Sequence, residues 1–305
     1  MNAARLRELL ARHGLHLSRD LGQNFLLDAD FADELARRAG AGPDDLVIEV
    51  GTGLGVLTRA LAARAGRVRT VEIDSGLVRV LEAEHLLPEN VELVHGDARR
   101  IDWRAWVEEA GRPVRVIANL PYSVATPLLR VFLEHRAKLA DWSVMIQREV
   151  AARMMAGTGE KDYGSLAVLH RLAADVETIA SLGPERFFPR PKVESSFVRV
   201  WPRRSGPLGE GDLARVERVA RAAFSQRRKV VTNGLARLAQ RRFAALPSSE
   251  HRDALEGLLQ SVGIDSRLRP ERIEPEAWLA LARAWGDVSP AVEEVEGEDQ
   301  GGLDV

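Results

Sequence analysis

Apolar and polar positions alternate along the first two thirds of the chain with two different periods. Short apolar runs at 46–50 (LVIEV), 68–74 (VRTVEID), 91–95 (VELVH), 114–118 (VRVIA) and 143–146 (SVMI) read as strands. Stretches of helical spacing lie between them, at 30–38, 56–64 and up to about 84. Residues 2–13 form another amphipathic, charged helical pattern. Strands alternating with helices predict a parallel sheet covered on both faces. Two later runs, 176–182 and 195–201, are rich in β-formers and suit an antiparallel edge. After Trp201 the period changes. Pro202-Arg-Arg-Ser-Gly-Pro207 is a linker by composition, and 212–242 and 250–285 are helical in period without a strand signal. The expected layout is an α/β domain over 1–205 and a small all-helical domain over 206–286. The remaining 287–305 is poor in large apolar residues and is expected to be a disordered acidic tail. No internal repeat is evident.

Charge sharpens this layout. The 305 residues have a formal net charge of −2, which argues against a nucleic-acid partner. Seven acidic residues and no Lys or Arg lie between Asp287 and Val305, however; without those seven negative charges the −2 becomes +5. The part expected to fold is mildly basic, and 203–242 holds eleven Lys or Arg against three acidic residues. Cysteine is absent, which excludes disulfides and Cys-ligated metals and suits a reducing cytoplasm. The N-terminus has no apolar signal core and no later run is long enough to span a bilayer, so a soluble intracellular protein without a membrane partner is expected.

The chemistry sits at the strand ends. The first strand runs into Glu49-Val-Gly51-Thr-Gly53-Leu-Gly55, where glycines let backbone approach a ligand closely. Glu72 stands twenty-one residues after Gly51, placed to accept hydrogen bonds from both hydroxyls of a ribose. A dinucleotide fingerprint requires a third glycine at 56, where this chain has Val56. The G-x-G-x-G spacing fits S-adenosylmethionine as the ligand, with no pyrophosphate to cradle. Asp97 ends the third strand and can accept from an adenine amino group; by itself it reads better as a helix cap. Glu72 by itself is an ordinary solvated strand-end charge. Three such groups at the ends of successive strands mark the place where open α/β sheets bind ligands.

The fourth strand ends in Asn119-Leu120-Pro121-Tyr122, the most specific signal in the chain. An exocyclic adenine amino group is a poor nucleophile because its lone pair is delocalised into the ring. The Asn119 side-chain oxygen and a backbone carbonyl near Leu120 can hold its two hydrogens and turn the lone pair toward a methyl donor. Pro121 stiffens the turn and offers no amide hydrogen. Tyr122 can stack on an extruded base; the plain alternative is a packing tyrosine in a strand-end turn. Phe187 or Phe188, in Phe187-Phe-Pro-Arg-Pro-Lys-Val193, can face Tyr122 across that base or belong to the core. The chemistry requires no metal.

These segments resemble one family throughout. Gly22-Gln-Asn-Phe-Leu26, Glu49 to Gly55, Glu72-Ile-Asp74, Gly96-Asp97, Asn119 to Tyr122, Phe187 to Val193 and Ala223-Phe-Ser-Gln-Arg-Arg-Lys229 occur in the order found in the KsgA/RsmA family of small-subunit ribosomal RNA adenine dimethyltransferases. The resemblance runs from about 18 to about 280. It implies a Rossmann-like, S-adenosylmethionine-dependent methyltransferase sheet with a small C-terminal helical domain. It implies dimethylation of two adjacent adenosines in the 3′-terminal hairpin of 16S RNA, in the 30S subunit or its precursor. A cytoplasmic monomer is expected, though the residues themselves do not specify the oligomeric state. It places cofactor contacts at Asn24, Leu26, Gly51, Glu72, Asp97 and Asn119, to which the glycine turn adds Gly53. Thr52 stands where the family usually has Pro, a departure not expected to affect binding.

For RNA, Arg227, Arg228 and Lys229 are expected to meet phosphates, with Arg190 and Lys192 near the base pocket. A charged helix face is more often simply solvated, so the cluster counts for more than any member. Three other readings stand beside this one. They are the related large-subunit RNA methyltransferases of macrolide resistance, a ribosome-assembly factor that needs no catalysis, and a DNA adenine methyltransferase. The last commonly carries Asp before Pro-Pro-Tyr, unlike Asn119-Leu-Pro.

Overall fold

The computed structural model describes residues 3–15 and 22–286. The expectations for the 287–305 tail and for residues 18–21 fall outside them. The helices are α1 (Ala3–Arg12), α2 (Ala29–Arg38), α3 (Val56–Ala62), α4 (Ser75–Ala83), α5 (Trp103–Glu109), α6 (Ala125–Glu134), α7 (Arg148–Met155), α8 (Ser165–Ala173), α9 (Asp212–Phe224), α10 (Val231–Arg242), α11 (His251–Ser261) and α12 (Pro275–Trp285). The strands are β1 (Phe25–Leu26), β2 (Leu46–Val50), β3 (Arg67–Glu72), β4 (Val91–His95), β5 (Val114–Asn119), β6 (Leu139–Gln147), β7 (Ala174–Leu182), β8 (Phe187–Phe188) and β9 (Ser195–Pro202).

The main sheet has the order β4-β3-β2-β5-β6-β9-β7. Its first five strands are parallel, and β9 and β7 complete it as the expected antiparallel edge. The chain steps outward from β2 to β4 and then returns to β5 on the other side of β2. That reversal opens a crevice at the carboxyl ends of β2 and β5, the usual ligand position in such sheets. β2 is buried along its whole length, as a central parallel strand must be.

Side-chain caps set several boundaries. The second expected strand stops at Glu72 rather than at 74, because Asp74 caps α4: its Oδ1 accepts from Gly76 N at 2.8 Å and Leu77 N at 3.3 Å. Asp28 and Asp102 cap α2 and α5 in the same way. β6 extends to nine residues because β9 pairs with it from Trp142 to Gln147.

One apolar core covers the face of the sheet that carries α5 and α6, where Trp103 and Phe132 meet edge to face at 5.3 Å. The same core continues through α8 into Val216, Leu235 and Trp278 of the helical segment. Phe224 lies 5.9 Å from Tyr163 and 5.7 Å from Trp278, and the Tyr163 hydroxyl donates to the Ile273 carbonyl at 2.9 Å. The boundary expected at 205/206 is thus crossed by continuous packing, and α9–α12 rest directly on the sheet domain. Among the described residues, no helix is long and apolar enough to cross a membrane.

Candidate active site

A cavity of about 320 Å³ opens at the carboxyl ends of β2, β3, β4 and β5. Gly51 and Gly53 follow β2 with φ of +81° and +57°, a region that favours glycine. A Cβ on Gly53 would lie 3.0 Å from the Phe25 ring. The bare turn therefore lets the segment Gly22 to Leu26 close over it, and Asn24 and Leu26 line the cavity.

Glu72 ends β3 and is 5% exposed. One carboxyl oxygen accepts from Gly53 N and the other from Asp74 N, each at 2.9 Å. Each oxygen retains a lone pair for a ligand hydroxyl. Burial raises its proton affinity above the ordinary carboxylate range, against these backbone bonds. Beneath the turn, Glu49 is 1% exposed and accepts from Thr58 Oγ1 at 2.6 Å and Thr70 Oγ1 at 2.8 Å. Thr70 Oγ1 is in turn 2.7 Å from Thr52 Oγ1. Burial pushes the Glu49 carboxyl up to about 8, in spite of the threonine bonds.

Asp97 lines the cavity with its carboxylate already engaged. Arg99 approaches it with Nη2 at 2.7 Å and Nε at 3.1 Å, and the Arg99 amide donates at 2.9 Å. The Arg99 guanidinium holds this carboxyl below its ordinary range. A ligand amino group must share Asp97 with Arg99.

β5 supplies the fourth wall. Asn119 Nδ2 donates to the Asn24 carbonyl at 2.9 Å. A carbonyl partner fixes which end of the amide is nitrogen, and Oδ1 is left without a partner among the described residues. Leu120 is anchored by its amide, 3.2 Å from the Met145 carbonyl. Pro121 and Tyr122 line the cavity, and Tyr122 opens a single 3-10 turn to Val124. The Tyr122 hydroxyl lies 2.6 Å from Ser195 Oγ.

Phe187 and Phe188, one of which is expected to face Tyr122 unless it belongs to the core, are both held away from the cavity. Phe188 pairs with Phe25 and Phe187 with Leu26 in a two-stranded ladder. Phe187 is 3% exposed inside an apolar cluster, and Phe188 is half-buried under the Arg7 guanidinium. Neither lines the cavity. Two-residue strands are too short to leave a periodic signal, so the sequence did not reveal this pairing.

Arg190, Lys192, Arg228 and Lys229 are exposed, and none has an ion pair among the described residues. Arg227 is half-buried: Nη2 donates to the Glu160 carbonyl at 3.1 Å and Nε lies 3.4 Å from Glu271. The basic run falls in the turn between α9 and α10. Sequence reasoning missed Gln23, which ties the covering segment to Asp74 at 2.8 Å. It also missed Ile73, a 43% exposed apolar residue lining the cavity next to Glu72, and the Ser195 partner of Tyr122.

Known proteins match this arrangement. The family described as ribosomal RNA adenine dimethylase matches residues 14–262. A Rhodospirillum rubrum protein named ribosomal RNA small subunit methyltransferase A is 43% identical over 281 residues, 92% of this chain and 91% of its own. A Myxococcus xanthus protein of the same name is 38% identical over 286 residues, 93% and 96% of the two chains. Among solved structures, a dimethyladenosine transferase from Plasmodium falciparum has the same fold, with a TM-score of 0.67, 24% identity and coverage of 84% and 95%. The 23S rRNA methyltransferase ErmE aligns with a TM-score of 0.57, 26% identity and coverage of 87% and 100%. The family match takes in every wall of the cavity and the relatives align over nearly the whole chain: this protein belongs to the ribosomal RNA adenine dimethylase family.

Proposed function

We propose that the protein transfers two methyl groups from S-adenosylmethionine to the N6 amino group of each of two adjacent adenosines in the 3′-terminal hairpin of 16S ribosomal RNA, during maturation of the small subunit. The observation that carries this reading is the Asn119 amide. Its nitrogen is held by the Asn24 carbonyl, so its oxygen is presented as a fixed acceptor at the end of β5, beside the cavity closed by Glu72 and Asp97.

The residues present fit the methyl donor. Glu72 has carboxyl oxygens for two ribose hydroxyls, Asp97 has one for an adenine amino group, and Gly51 and Gly53 leave bare backbone beside them. Asn24 and Leu26 cover the cavity. When bound, S-adenosylmethionine supplies a methyl group already activated by its sulfonium, so no strong base or metal is needed.

The protein then has to orient the acceptor amine. For the first transfer, Asn119 Oδ1 and the Leu120 carbonyl accept its two hydrogens, which directs the lone pair out of the ring system toward the donor. The methylated nitrogen then loses one proton to solvent. For the second transfer its one remaining hydrogen is held by one of the same acceptors before it too leaves to solvent. Pro121 has no N–H to compete. The Tyr122 ring supplies a stacking face for the extruded base. Phe187 lies in the apolar cluster, so this reading rests the stacking on Tyr122. Arg190, Lys192, Arg228 and Lys229 contact phosphates, and Arg227 shapes the same turn. The protein is read as a monomer that acts in the cytoplasm, where ribosomes are assembled.

The test is transfer of labelled methyl groups from S-adenosylmethionine into purified unmethylated 30S particles, with 50S particles in parallel and the labelled nucleoside identified. Dimethyladenosine in the small subunit alone is expected. Label in the large subunit would reassign the substrate. No label in either particle, with cofactor still bound, would leave RNA binding in subunit assembly as the function.

A further inference from the structure

We infer that Ser195 is a positioning residue for the methyl transfer, fixing the Tyr122 ring as the surface on which the target adenine stacks. The inference rests on the base-binding role proposed above for Tyr122.

Ser195 is the first residue of β9. Because β9 runs antiparallel to β6, its first residue sits at the carboxyl-end rim of the parallel strands, on the level of the cavity. There its main chain is held on both sides, in register with Gln147 of β6 and Leu182 of β7. The side chain is 0% exposed. Its hydroxyl lies 2.6 Å from the Tyr122 hydroxyl, across 73 residues of sequence, and forms no other side-chain hydrogen bond among the described residues. An oxygen buried in the middle of a sheet rim is thus aimed at one atom of one cavity residue.

Tyr122 belongs to a short turn after β5, whereas Ser195 belongs to a strand paired on both edges. The rigid partner sets the position of the less constrained one. A phenol held at its oxygen keeps its ring plane fixed before a base arrives, so the ordering is not charged to the bound state. The same bond occupies the hydroxyl, and burial moves the phenol away from ionisation. What Tyr122 has left to offer is its ring face. That face is what stacking on an extruded adenine requires.

The experiment uses the full-length protein in steady-state methylation of unmethylated 30S particles, with S-adenosylmethionine affinity measured by calorimetry and folding by thermal unfolding. The variants are Ser195→Ala, Tyr122→Phe, their combination, and Tyr122→Ala. A single neutral hydrogen bond sets the scale: Ser195→Ala and Tyr122→Phe should each lower kcat about five- to tenfold. Cofactor affinity should be unchanged, and the double variant should be no slower than the slower single one. Tyr122→Phe keeps the ring and serves as the second probe if Ser195→Ala folds poorly. Wild-type kcat in either single variant, or effects that multiply in the double variant, overturns the positioning role. Tyr122→Ala separates the two levels. Near-normal turnover there defeats the base-binding reading itself, whereas a large drop there with intact singles defeats only the role of Ser195.

Discussion

The side-chain amide of Asn119 donates to the main-chain carbonyl of Asn24, 2.9 Å away and 95 residues earlier in the chain. The segment that covers the cavity thereby sets the orientation of the residue proposed to receive the acceptor amine. Removing the Asn119 amide should cost turnover far more than cofactor binding. We expect Asn119→Ala to lower kcat by about 100-fold or more, the scale for loss of one preorganised polar group in an active site. The dissociation constant for S-adenosylmethionine should change only a few-fold. Asn24→Ala is the informative control, since it leaves the carbonyl in place and should affect cofactor affinity more than kcat. Single-turnover methylation and calorimetry on both variants check this, and near-normal turnover of Asn119→Ala would sink the mechanism.

Glu49 gives a pH prediction. Its carboxyl is buried and pushed up to about 8, from the 4.5 of an unhindered glutamate. In the unfolded chain it ionises near the lower value. Between the two values the unfolded state has lost a proton that the native state keeps, so unfolding is favoured as pH rises. The stabilisation from Glu49 is therefore complete at low pH and is lost as pH rises through about 8. Glu49→Gln keeps an acceptor for Thr58 and Thr70 and has no proton to lose. The stability of Glu49→Gln relative to wild type should rise from about pH 5 to about pH 8 in urea unfolding. Parallel curves would mean that Glu49 ionises at its ordinary value.

Features that depend on spacing within one segment were readable before the structure. β2, the glycine turn, Glu72, Asp97 and the end of β5 each follow from a local apolar run and the residue types that close it. The crevice also followed, because sheet topology puts those ends together. Pairings between distant segments left no local trace. Nothing in the segment around Ser195 names Tyr122 as its partner, and nothing in Ser225-Gln-Arg-Arg-Lys229 shows that Arg227 turns inward to Glu160 and Glu271 while its neighbours face solvent. Helices α5 to α8 went unread for a different reason. In this stretch the legible signals are the strand ends and their motifs, and none of these four helices carries such a motif within it.

That inward turn divides the basic run into two roles. Arg228 and Lys229 are exposed, whereas Arg227 is tied to the Glu160 carbonyl at 3.1 Å and lies 3.4 Å from Glu271. A cation that neutralises a phosphate releases counterions, so its removal reduces the salt dependence of binding by about 0.7 for each phosphate left unneutralised on single-stranded RNA. Neutralising all three residues together should weaken RNA binding and flatten its salt dependence. The effect should come from the exposed pair: Arg228→Gln with Lys229→Gln should reduce the slope of log K against log salt by about 1.4. Arg227→Gln alone should leave the slope nearly unchanged and lower the melting temperature instead, since it loosens the loop at Glu160 from the helical segment. Binding isotherms for 30S particles at several salt concentrations, with melting curves for each variant, separate the two effects. An unchanged slope in the Arg228/Lys229 double variant would make the patch ordinary solvated surface, and the phosphate-binding cations would then have to be sought at Arg190 and Lys192.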